Sequence, residues 1–112
     1  MTEFWEALDQ LVARAKIVID RPKGSRHPRY PEIVYPIDYG YLDGTTAVDG
    51  GGVDIWRGSL AAQNIVGALC TVDLLKRDAE VKILLGCTPD EIAIIRNFYN
   101  DGPYMKCALI LR

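Results

Sequence analysis

The chain has 112 residues, 49% hydrophobic and 25% charged, which excludes a disordered segment and leaves room for one domain over residues 1–112. Its 13 basic and 15 acidic side chains give a net charge of −2, so the basic excess of a nucleic-acid binder is missing. No apolar stretch is long enough to span a membrane, and the first six residues show neither a basic region nor an apolar signal core. Cys70, Cys87 and Cys107 sit in apolar runs, as reduced packing cysteines do, and lack the paired spacing of a zinc site. A cytoplasmic protein is the expectation.

Residues 3–15 are a predicted helix, because Phe4, Leu8, Leu11, Val12 and Ala15 recur at helical spacing. A short β-branched strand over 16–20 follows. Residues 21–31 contain three prolines and a glycine and must form a loop, one that carries Arg21, Lys23, Arg26, Arg29 and His27. Residues 33–35 and 38–42 read as extended, separated by Pro36, and Asp43-Gly44 as a turn. Residues 45–48 extend again, 49–52 form a loop, and 53–56 form a strand. Residues 65–76 and 80–86 are predicted as two strands joined by a tight turn at 77–79, with Asp73 on an edge-strand surface. Thr88, Pro89 and Glu91 make a capping box at the start of a second helix, whose Ile92, Ile95, Phe98 and Tyr99 face the core. Residues 106–111 are a last strand. Trp5 and Trp56 are expected as core or subunit-interface anchors.

The chemistry concentrates in residues 35–54, YPIDYGYLDGTTAVDGGGVD. Asp49 and Asp54 flank three glycines and Val53, so a tight loop can bring both carboxylates to one side. Hard cations such as Mg²⁺ take carboxylate, water and phosphate oxygens. The same spacing also suits a plain glycine-rich hairpin. Tyr39 and Tyr41 share one strand face, and Gly40 leaves the other bare. Two phenols beside an acidic loop suit phosphate oxygens.

From the strand at 16–20 to residue 86, this pattern resembles the family I soluble inorganic pyrophosphatases. The Y-P-x-x-Y-G-Y segment is Tyr35–Tyr41, an eight-residue step leads to Asp49, and an acidic hairpin ends in Lys82. The resemblance implies an α+β fold: a small OB-like five-stranded β-barrel with N-terminal and C-terminal helices. It implies hydrolysis of diphosphate, or a related phosphoanhydride, to two phosphates with several Mg²⁺ ions, or Mn²⁺ in their place. It also implies a homo-oligomer. Residue by residue, Asp49 and Asp54 match metal ligands, as does Glu80, and Asp78 stands in for a further ligand. Tyr35 and Tyr39 match phosphate-contacting tyrosines, and Lys82 matches the hairpin lysine. Arg29, or Arg26, falls near a phosphate-binding lysine, and Asp20 falls where the family has a supporting glutamate.

The departures from the family pattern are equally concrete. Gly51 stands where the family has the aspartate that activates water, and Gly52 replaces a proline. The shortened hairpin puts Arg77 near one ligand position. The family's helical Tyr-Lys pair has no match in register, although Tyr104 and Lys106 lie just beyond. These departures leave a second reading open: a non-catalytic phosphate- or nucleotide-binding module of the same fold. An OB-type nucleic-acid binder is a third reading, against which the net acidity counts.

Overall fold

The structure, a computed structural model, describes residues 2–112 and leaves Met1 outside. Helix α1 (Thr2–Ala13) leads into β1 (Lys16–Arg21), β2 (Asp38–Asp43) and β3 (Val53–Arg57). The hairpin β4 (Ile65–Asp73) and β5 (Asp78–Leu85) follows, then α2 (Pro89–Asn100) and β6 (Met105–Leu111). The strands form one mixed sheet in the order β1-β2-β3-β5-β4-β6. Only β3 and β5 run parallel; the other neighbours are antiparallel. The α+β class and the two helices agree with the sequence reading. The sheet has six strands and ends at β1 and β6, so it is not a closed five-stranded barrel.

Alternation along the strands divides the apolar residues between two cores, one on each face of the sheet. On one face, Ile55, Ile83, Leu85 and Leu42 pack with Trp5, Leu8 and Val12 of α1. On the other, Trp56, Leu84, Leu69 and Tyr39 pack with Ile95 and Tyr99 of α2. Strand β5 is covered on both sides, which explains the unbroken apolar run Ile83-Leu84-Leu85. The capping box at α2 forms as expected: Thr88 accepts from the Glu91 backbone N–H, and Glu91 accepts from the Thr88 N–H.

Several local expectations are corrected. Residues 33–35 are not a strand; only Val34 forms an isolated bridge, to Arg26. Residues 45–48 form a loop, because the Thr45 hydroxyl donates to the Leu42 carbonyl and accepts from the Val53 N–H, closing a turn. The β4–β5 turn lies at 74–77, with Arg77 at φ 59 and Asp73 opposite Asp78. Asp73 accepts from the N–H groups of Leu75 and Lys76 and lies on an interior strand. Cys70 is exposed, whereas Cys87 is buried with its thiol pushed up to about 11 by desolvation. Phe4 and Leu11 are exposed, and Trp5 takes the inward place.

One irregularity positions the site. Val18 pairs with Tyr41 and Arg21 with Tyr39, so β1 spends three steps against two in β2. That extra residue is a β-bulge, which flips the side chains beyond it to the opposite face. Without it Asp20 would oppose Tyr39; with it, Arg21 does. The bulged backbone crosses directly over Gly40, where a Cβ would lie 1.8 Å from the Val18 carbonyl oxygen.

Candidate functional site

Pairing of Tyr41 with Asp54, Tyr39 with Trp56 and Trp56 with Leu84 puts Tyr39, Tyr41, Asp54, Lys82 and Glu80 on the face that carries α2. There four side chains meet. The Lys82 ammonium donates to Tyr39 Oη at 2.8 Å, Asp54 Oδ2 at 3.0 Å and Glu80 Oε2 at 2.9 Å. Those three bonds use every proton the ammonium has. The Tyr39 hydroxyl in turn donates to Asp54 Oδ2 at 2.6 Å.

Lys82 is only 5% exposed, and a buried cation without partners would cost several kcal/mol. Burial opposes its charge, but the Asp54 carboxylate and the hydrogen bond to Tyr39 Oη outweigh it, holding the ammonium above its ordinary pKa. Burial likewise pushes the Tyr39 phenol upward, so it stays a proton donor. The Asp54 and Glu80 side chains keep 30% and 22% of their surface exposed, so the cluster opens to solvent through its acids.

The other expected residues make their contacts outside this cluster, Tyr35 excepted, which packs on Tyr39. Asp49 is exposed, and its Oδ1 accepts from the Gly51 N–H at 3.0 Å, closing its own loop. Asp78 pairs with Lys76 at 3.6 Å beside the hairpin turn. Tyr35 is buried against Tyr39, their ring centroids 5.3 Å apart. The loop 24–35 folds on itself, with Tyr35 N–H donating to the Ser25 carbonyl and His27 N–H to that of Ile33. Arg26 donates into that loop, to the Pro31 carbonyl, and Arg29 is exposed. Asp20 is exposed as well. Tyr104 is half exposed, and Lys106 closes the end of α2 by donating to the carbonyls of Asn100 and Gly102.

The sequence reading missed Arg21. Its guanidinium donates to Tyr35 Oη and lies 5.4 Å from that ring's centroid. A strand pattern alone assigns it to the wrong face, because the bulge leaves no mark in the spacing of apolar residues.

Among the described residues no three His, Cys, Asp or Glu side chains come together as a metal centre. Asp54 and Glu80 do converge, since one ammonium bonds both, and their second oxygens meet no protein donor among the described residues. Two carboxylates completed by water and phosphate oxygens suit one hard cation. Several ions find no support in this arrangement.

Comparison with solved structures places the fold. An inorganic pyrophosphatase from Neisseria gonorrhoeae superposes with a TM-score of 0.66 at 17% identity, over 85% of this chain and 80% of that one. The inorganic pyrophosphatase of Helicobacter pylori gives 0.62 at 17% identity, over 86% and 83%. One from Coxiella burnetii gives 0.55 at 14% identity, over 90% and 80%. The chain has the fold of the inorganic pyrophosphatases. No protein-family model and no curated protein matches its sequence. The OB-like α+β expectation therefore stands at the level of the fold.

Proposed function

We propose that the chain is an inorganic diphosphatase, acting as one domain on diphosphate or a related phosphoanhydride at Tyr39, Asp54, Glu80 and Lys82. The observation that carries this reading is the convergence of those four side chains, on a pyrophosphatase fold, at positions the sequence resemblance assigned to that chemistry. Asp54 and Glu80 would hold a Mg²⁺ or Mn²⁺ ion, which when bound would supply Lewis-acid polarisation of a phosphoryl oxygen. Asp54 also orients the water that attacks one phosphorus and takes its proton. The bridging P–O bond breaks and two phosphates leave. Lys82 and Tyr39 hold Asp54 in place by donating to its Oδ2. Asp49 and Asp78 as further metal ligands, and Arg29 or Arg26 as a phosphate-binding cation, remain parts of the proposal carried by the resemblance.

Initial rates of phosphate release with Mg²⁺ test this. Asp54→Asn is expected to lower the rate by about two to four orders of magnitude. Equal release by the variant and the parent at the buffer level removes the hydrolase reading.

A second reading, a phosphate-binding module without turnover, is favoured by Gly51 at the position of the activating aspartate and by Asp49 being bound to its own loop. Under that reading diphosphate raises the Tm and is recovered intact. The cytoplasmic location and the homo-oligomer remain parts of the proposal carried by the resemblance; sedimentation velocity reads the second. Among the described residues no helix is long and apolar enough to cross a membrane.

A further inference from the structure

Arg21 differs from the chain's other partly buried or paired arginines in what its donors meet. Arg57 donates to the carbonyls of Gly58 and Leu60, Arg26 to that of Pro31, and Arg112 makes two bonds to Asp9. Arg21 is partly buried, has no carboxylate at ion-pair distance among the described residues, and gives one N–H to a neutral phenol. A guanidinium has five donors in a planar fork matched to phosphate oxygens. The Tyr35 hydroxyl accepts from Arg21, and its own proton meets no acceptor among the described residues. The bulge between Val18 and Arg21 turns this fork onto the face of Tyr39, and the Tyr35 ring links it to the acidic cluster.

We infer that Arg21 and the Tyr35 hydroxyl form an anion subsite for one phosphoryl group of the ligand, on the β1 side of Tyr39. The inference rests on the phosphoanhydride reading above and gives it a specific cation, in place of the loop arginines 26 and 29. The phosphoryl group is received by the free N–H groups of Arg21 and the Tyr35 O–H. Its distal partner then extends past Tyr39 toward Asp54 and Glu80.

Calorimetric titration of inorganic phosphate, and of diphosphate in the Asp54→Asn background that does not consume it, with Mg²⁺ present, tests the assignment on five proteins: the parent, Arg21→Met, Arg21→Lys, Tyr35→Phe and Arg14→Met. Arg14 is exposed at the end of α1, whose helix packs on the opposite face, and serves as the charge control. Arg21→Met is expected to weaken both ligands by about 10- to 100-fold. Arg21→Lys recovers part of that loss, Tyr35→Phe loses less than about tenfold, and Arg14→Met binds as the parent does. Binding by Arg21→Met within roughly twofold of the parent, with the parent binding well, overturns the Arg21 assignment alone. A loss in Tyr35→Phe as large as in Arg21→Met also overturns it, because Arg21 would then act only by holding the tyrosine. If the parent binds neither ligand, the subsite and the phosphoanhydride reading fall together.

Discussion

Lys82 sits where two acids need a positive charge, and its removal exposes what it balances. Lys82→Met leaves the Asp54 and Glu80 carboxylates facing one another without the ammonium between them. Loss of the central ion of such a partly buried network is expected to destabilise the fold by about 3 kcal/mol in denaturant titrations. An unchanged midpoint contradicts the network. Gly51 offers the opposite experiment. Its backbone has no positive φ, and an added Cβ would meet only Asp49 Oδ1, at 3.4 Å. The loop therefore accepts the aspartate that the pyrophosphatase pattern has there. Gly51→Asp is expected to raise phosphate release by about tenfold or more, measured at saturating Mg²⁺. A fall in rate would show that the loop cannot deliver a carboxylate to the cluster. At this scale the sequence, through the family resemblance, singled out Tyr39, Asp54, Glu80 and Lys82, whose side chains the structure brings together. It was uninformative for Asp49, whose loop geometry depends on an Asx bond, and for Arg21, whose direction depends on a bulge.

Two elements carry expectations of their own. Glu91 closes the capping box of α2 and also accepts from Ser59 N–H and Oγ, tying the loop after β3 to the helix start. Burial raises its pKa, but the bonds from Thr88 and Ser59 together outweigh this and hold it below the ordinary 4.5. A depressed carboxylate contributes stability above its unfolded value and loses it as pH falls through the folded one. Glu91→Gln keeps a capping side chain without the charge. The parent is expected to exceed it by about 1 kcal/mol at neutral pH, with the gap closing well below pH 4.5. A pH-independent gap would refute the charge contribution. Strand β1 holds its bulge because Gly40 presents no side chain to it. Gly40→Ala drives a methyl into the Val18 carbonyl and is expected to lower stability by about 3 kcal/mol while turning Arg21 away from Tyr35. The capping box was legible because its residues are adjacent in the chain. The bulge was not, because it arises from contact between segments some twenty residues apart.

Across the whole molecule, local pattern predicted the pieces and could not arrange them. Both helices, the strands at 16–20, 38–42 and 53–56 and the last strand were read nearly at their observed places. The sheet order, with β5 inserted beside β3 and β4 moved inward, depends on non-local pairing and leaves no periodic signal in one sequence. That insertion matters for function, since the parallel β3–β5 pair is what brings Asp54 next to Lys82 and Glu80. The proposed function has this junction handle a phosphoanhydride. Phosphorus NMR of diphosphate incubated with Mg²⁺ and the protein tests it in one time course. The diphosphate resonance is expected to disappear into that of phosphate with the parent and to persist with Asp54→Asn. A diphosphate signal that neither shifts, broadens nor decays with the parent would contradict it.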